Sequence, residues 1–155
     1  MHNDTFPTPD VWLEHRVSYG ETDAMGFVYH AEYLHIFERS RGAYLRSLGI
    51  DYNAVEKGGL FFPVTEAWCR YRHPAKYDDL IVVHAGISEL GRASLTFTYR
   101  LYDASRTLLL AEGTTRHACT NAEGRPTRLP EWLSQKLKPS GGCASLPQEP
   151  TSPLA

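Results

Sequence analysis

Apolar and polar positions alternate from Val11 to Tyr19. Val11, Leu13, Val17 and Tyr19 fall on one side of the segment, and Trp12, Glu14, Arg16 and Ser18 on the other. A period of two predicts a strand over 11–19 with one face more apolar than the other. The period then changes: Tyr33, Ile36, Phe37, Ser40, Ala43, Tyr44, Ser47 and Leu48 recur at three- and four-residue intervals, which predicts a long helix with a single buried face. Gly49 offers that helix a left-handed stop, and 51–59 reads as a loop or short helical turn ending in Gly58 and Gly59. Four strands follow. Residues 62–72 carry apolar side chains on both faces, as in a strand covered on both sides. Residues 80–90 form the next. Residues 93–102 alternate most cleanly, with Leu95, Phe97, Tyr99 and Leu101 set against Ser94, Thr96, Thr98 and Arg100; 107–119 is the last. Turns fall at 73–79, at Gly91 and at 103–106, and a short helix around Trp132 and Leu133 closes the patterned region.

A strand, a long helix and four strands at hairpin spacing make an α+β order, in which an antiparallel sheet must bury the helix's apolar stripe. A sheet curled around one helix satisfies this, as do other helix-on-sheet arrangements. The 155 residues, 42% of them apolar, suit one domain, assigned to 10–137. Residues 1–9 read as a flexible lead-in and 138–155, rich in proline, glycine and serine, as a disordered tail. Sixteen basic against eighteen acidic residues give a formal charge of −2, so no global positive field argues for nucleic acid or an anionic membrane. The N-terminus lacks a secretion signal and no segment has the length of a membrane helix, so the expectation is a cytoplasmic protein with no membrane insertion. Three cysteines, Cys69, Cys119 and Cys143, show no CxxC spacing, which argues against a disulfide framework or structural zinc.

Candidate chemistry concentrates in Tyr19–Tyr33, YGETDAMGFVYHAEY, where ionisable residues and glycine interrupt two strongly patterned segments. Asp23 and Gly26 sit in a short turn, and His30 stands where the helix is expected to begin. The first turn of a helix has N–H groups without intrahelical partners and about half a positive charge. The backbone N–H groups of Val28 and Tyr29 are therefore the expected donors to a substrate carbonyl, stabilising the charge that develops on its oxygen. Asp23 would supply the other half of the chemistry, as nucleophile or as a base that activates water. By itself, an aspartate in a turn before a helix more often reads as a cap or an Asx turn. The helix segment HAEYLHIFE offers His30, Glu32, His35 and Glu38 as metal ligands, but its histidines are five apart, which turns the helix through about 140° and separates them. Glu38 is better placed near Arg41. No P-loop, GxGxxG or GxSxG motif is present, which leaves nucleotide hydrolysis, dinucleotide redox and serine-hydrolase chemistry unsupported.

The run YGETDAMGFVYHAEY followed by FERSRGAYL resembles the signature of hot-dog-fold acyl-CoA thioesterases, in the 4-hydroxybenzoyl-CoA thioesterase-like branch that includes the Tol–Pal-associated enzymes. The resemblance extends to about Leu133. It implies a hot-dog fold, an antiparallel sheet of about five strands wrapped around one long central helix, and hydrolysis of an acyl-CoA thioester to free acid and CoA. The aspartate of the T-D-x-x-G segment is the family's catalytic carboxylate and carries over to Asp23; Tyr19 and His30 match the flanking positions. Glu21 departs from the pattern, since many relatives have aspartate there. The resemblance calls for no cofactor or metal. It places the pantetheine arm at a subunit interface of a homo-oligomer, a dimer or tetramer. CoA phosphates need cations, and Arg70, Arg72, Lys76 and Arg92 are the candidates. An acyl-carrier protein is an alternative thiol donor. Two other classes share the scaffold: a non-catalytic acyl-CoA or acyl-carrier binding module, and an acyl-thioester hydratase or dehydratase. For the acyl group, short-to-medium aliphatic or aromatic, Tyr33, Phe37, Phe61, Phe62 and Trp68 are pocket candidates and equally core candidates.

Overall fold

A computed structural model describes residues 5–139. The chain forms β1 (Asp10–Arg16), a 3-10 turn (Tyr19–Glu21), α1 (Glu32–Ser47), α2 (Tyr52–Lys57), β2 (Val64–Tyr71), β3 (Leu80–Leu90), β4 (Ser94–Asp103), β5 (Leu109–Ala118) and α3 (Glu131–Leu137). The strands make one sheet in the order β1-β3-β4-β5-β2, antiparallel at every pairing. α1 lies against one face of the sheet, leaning mainly on β1 and β3. This is the hot-dog arrangement of sheet and central helix. No helix among the described residues is long and apolar enough to cross a membrane.

The helix's buried stripe is Tyr33, Ile36, Phe37, Ser40 and Tyr44. Phe37 lies flat on Tyr99 of β4, ring centroids 4.3 Å apart and planes within 6°, while Tyr44 meets Phe97 edge-on at 5.3 Å. These contacts require a gap in the sheet surface, and Gly113 of β5 supplies it: a Cβ there would stand 2.5 Å from a Phe37 ring carbon and 2.8 Å from the Trp68 carbonyl oxygen. The helix ends as the sequence suggests, with Gly49 at φ +72° donating its N–H to the Arg46 carbonyl.

Two expectations change. The first strand stops at Arg16 rather than Tyr19, because the chain turns at Ser18 into the 3-10 turn after Val17 has exchanged backbone hydrogen bonds with Asp78 and Asp79. β2 is an edge strand with residues 64–67, 70 and 71 exposed, so its apolar side chains are not covered on both faces within one protomer. Ahead of β1, Phe6 and Pro7 pack against Gly86 of β3. Phe6 stacks on one face of His84 and Trp12 on the other, at 3.6 and 3.9 Å, and Arg106 sits 4.1 Å over the Trp12 ring. Residues 1–4 and most of the expected tail lie outside the described residues, Cys143 included; Cys69 and Cys119 are free thiols.

Gly113→Ala should cost about 1–3 kcal/mol through overpacking against Phe37 and the β2 backbone. A thermal unfolding midpoint equal to that of the unsubstituted protein would show that the helix does not need this gap.

Candidate active site

The segment between β1 and α1 is held by a buried carboxylate. Glu21 is 7% exposed. Its Oε1 accepts hydrogen bonds from the Ser18 amide at 2.8 Å and the Ser18 hydroxyl at 2.9 Å, and Nε2 of His15 lies 2.9 and 2.8 Å from its two oxygens. Arg39 of α1 stands 3.8 Å from Oε2 and 3.1 Å from the other His15 ring nitrogen. Burial pushes the Glu21 carboxyl up, but the Ser18 amide and hydroxyl and the His15 ring outweigh it, so it ionises below the ordinary carboxylate range. The S-x-x-E spacing of Ser18 and Glu21 was a readable capping signal; the contributions of His15 and Arg39 had none.

Two residues later the chain makes a miniature hairpin closed by a Thr22–Val28 bridge. The Asp23 amide donates to the Phe27 carbonyl at 2.8 Å, and the Gly26 amide to the Asp23 carbonyl at 2.9 Å. Gly26 has φ +81°, which glycine adopts without steric cost. The Asp23 side chain uses Oδ1 to accept from the Met25 and Phe27 amides at 3.0 and 3.2 Å. That is an Asx turn, so one oxygen performs the structural role common for an aspartate here. Oδ2 accepts no hydrogen bond among the described residues. The carboxylate lies beside the first turn of α1, where its charge, after burial, helps raise the ionisation range of the Tyr33 hydroxyl.

The helix entrance corrects one expectation. The Val28 amide donates to the Ala75 carbonyl and the Tyr29 amide to the Glu21 carbonyl, both at 2.8 Å, so both are committed to holding the loop rather than open to a substrate oxygen. The next two amides, of His30 and Ala31, meet no backbone carbonyl among the described residues. α1 begins at Glu32, two residues after His30. The Tyr71 hydroxyl of β2 donates to the His30 carbonyl at 2.8 Å, pinning this corner to the sheet edge. The His30 ring is exposed against the Tyr29 ring at 4.4 Å. Tyr19 is 78% exposed and meets Tyr77 edge-on at 5.7 Å. Neither side chain hydrogen-bonds to Asp23 among the described residues.

The four candidate cations separate. Lys76 pairs with Phe27 in a backbone bridge, which sets it beside the Asp23 hairpin. Arg70 is exposed on β2. Arg72 is engaged by Glu112 at 2.9 Å. Arg92 lies at the opposite end of the sheet, beside Arg128 in the wall of a shallow depression. Of the aromatic pocket candidates, Tyr33 and Phe37 are core, Phe61 pairs with Thr120, Trp68 is half-buried, and Phe62 lines a cavity at the far end of α1.

Because the Glu21 ionisation is held low, its contribution to stability is present above the ordinary carboxylate range and is lost as pH falls below about 4.5 through the folded-state value. Glu21→Gln should lower the unfolding midpoint at pH 7 and flatten its decline between about pH 5 and 3. Parallel midpoint-against-pH curves for the two proteins would contradict this role.

Comparison with known proteins gives the family. Residues 17–137 match the thioesterase-like superfamily. The chain is 40% identical over 118 residues to acyl-CoA thioesterase YbgC of Haemophilus influenzae, covering 75% of this chain and 85% of that protein. A hypothetical protein from Aquifex aeolicus superposes with a TM-score of 0.78 at 34% identity, over 83% of this chain and 99% of that one. The DHNA-CoA thioesterase of Staphylococcus aureus superposes with a TM-score of 0.75 at 28% identity, over 81% and 85% of the two chains. The chain belongs to the thioesterase-like superfamily of hot-dog proteins.

Proposed function

We propose that the protein hydrolyses acyl-CoA thioesters, with Asp23 as the reacting carboxylate and the amides of His30 and Ala31 as donors to the thioester carbonyl oxygen. The observation that carries this reading is an aspartate with one oxygen tethered to its turn and the other unengaged, on a hairpin leading straight into a helix whose next amides are open. Oδ2 either bonds to the acyl carbon, expelling the CoA thiolate and leaving an anhydride that water opens, or takes a proton from the water that adds to that carbon. Both routes convert thioester and water into acid and thiol. In either, negative charge develops on the carbonyl oxygen, where one well-placed amide is worth on the order of 3 kcal/mol. The acyl group is of the short-to-medium aliphatic or aromatic class, and the relatives named for acyl-CoA and DHNA-CoA thioester hydrolysis support that range.

The protomer leaves this site open on one side. Tyr19, Met25, Tyr29, Tyr71 and Tyr77 are 46–78% exposed. The adjacent β2 edge has unpaired backbone groups. A second copy covering this edge would shelter both and complete the cleft, with Lys76 and Arg70 at its mouth for the CoA phosphates.

Asp23→Asn should reduce thiol release from acyl-CoA by at least about a hundredfold with an unchanged unfolding midpoint. Near-normal turnover would remove Asp23 from the chemistry, and label entering Asp23 during single turnover in ¹⁸O-water would establish the anhydride route. Sedimentation should find a dimer or tetramer; a monomer with full turnover would overturn the shared cleft.

A further inference from the structure

The end of α1 remote from Asp23 contains a cavity of about 580 Å³ between its C-terminal half, α2, α3 and the sheet. Its apolar wall includes Ile50, Val55, Phe62, Leu95 and Leu133. The two sites lie at opposite ends of the sheet. Asp23 follows the end of β1, whereas Phe62, Leu95 and His117 mark the start of β2, the start of β4 and the end of β5. Glu38, the first α1 residue to line the cavity, stands six residues into the helix, roughly 9 Å along its axis at 1.5 Å each. The space falls within the range of small-molecule sites, about 300–1,000 Å³. Water filling it would find few hydrogen-bonding partners along the apolar wall.

One wall is cationic. Arg41 is half-buried and lines the cavity, and its Nη1 donates to the Tyr99 hydroxyl at 3.1 Å. From there a chain of hydrogen bonds runs inward. The Tyr99 and Thr115 hydroxyl oxygens are 2.6 Å apart, Thr115 lies 2.8 Å from His117 Nε2, and His117 Nδ1 lies 3.1 Å from the Phe62 carbonyl oxygen. The carbonyl only accepts, so Nδ1 carries the proton. Burial, which outweighs that carbonyl, with the Arg41 charge adding to it, lowers His117 to about 4. The ring is therefore neutral and its Nε2 accepts from Thr115, which accepts from Tyr99, which accepts from Arg41. Every link is a neutral dipole. The chain satisfies one of the five guanidinium N–H donors and brings no negative charge. Arg41 makes no ion pair among the described residues, and the expected pairing with Glu38 does not occur. The acids at the cavity are Glu38 and Asp51 on the exposed rim and Glu56 beside the Tyr52 hydroxyl; the other cation, Arg46, is also on the rim.

We propose that this cavity is a second ligand site, which takes a medium-chain carboxylic acid with its carboxylate on Arg41 and its hydrocarbon tail along the apolar wall. A partly desolvated guanidinium without an anion favours a charge-assisted, two-pronged partner, and the adjoining wall favours a tail without polar atoms. The site is independent of what Asp23 does.

Octanoate titrated into the full-length Asp23→Asn protein, followed by methyl NMR, tests this without turnover. Saturable shifts are expected at Leu45, Val55, Leu95 and Leu133. Octan-1-ol, which has the same tail and no charge, should bind at least tenfold more weakly, as should octanoate to Arg41→Gln. Shifts confined to Met25 and Val28, equal affinity for acid and alcohol, or no saturable binding would each overturn the proposal. The acid-against-alcohol comparison leaves Arg41 intact, so it decides the matter even where the Arg41 variant does not fold.

Discussion

The contact on which the molecule depends is Phe37 lying flat on Tyr99 above the bare backbone of Gly113. It fixes how deep α1 sinks into the sheet. From that depth follow the height of the helix entrance above the β2 edge, where Tyr71 reaches the His30 carbonyl, and the space left under the helix's other half. Toward the start of β4 and the end of β5, Leu95 and His117 line open space instead. The end that is filled positions a carboxylate against amides. The end that is not filled is the cavity. One packing decision in the core thus shapes both regions with chemical character.

At the filled end, rigidity comes from charge rather than from apolar burial. Glu21 gathers Ser18, His15 and, at longer range, Arg39 around one carboxylate, while its own carbonyl accepts the Tyr29 amide. A buried carboxylate with this many donors is strongly stabilised in its charged form, and each donor comes from a different part of the local structure: the strand, the turn and the helix. The hairpin bearing Asp23 begins two residues later, so fixing Glu21 fixes where that hairpin starts. Preorganisation of this kind matters because a small misplacement of a reacting group costs far more rate than stability.

Much of this was legible in the chain. The helix and the three C-terminal strands follow from periodicities of 3.6 and 2, and their observed ends fall within two residues of the expected ones. The TDAMG turn and the position of Asp23 were legible because glycine and Asx chemistry are local. What was not legible is non-local. β2 looked doubly covered because Phe62, Val64, Ala67, Trp68, Cys69 and Tyr71 are apolar, yet edge position is set by sheet order, which the pattern does not encode. The Val28 and Tyr29 amides looked open because a helix start was inferred, whereas their acceptors, Ala75 and Glu21, are supplied by a distant loop and by the preceding turn. Phe6 and Trp12 enclosing His84 depend on the chain folding back over the sheet's outer face.

The polar chain under α1 shows why residue type alone gave so little there. In sequence Tyr99 reads as one of the apolar positions of β4, with Phe97 and Leu101, and Thr115 and His117 of β5 lie on the same face of the sheet. Tyr99, Thr115 and His117 are each at most 3% exposed, and a buried hydroxyl or ring nitrogen left without a partner would cost about 1–3 kcal/mol. They are tolerable only as a connected set with a carbonyl at one end and a donor at the other. Tyr99 also lends its ring to Phe37, so the residue that seats the central helix is the one that passes the hydrogen-bond chain to Arg41. A phenylalanine at 99 would keep the stacking and break the chain, leaving Thr115 without its donor and Arg41 without its anchor. The polarity of the cavity wall and the seating of the helix are therefore carried by a single side chain.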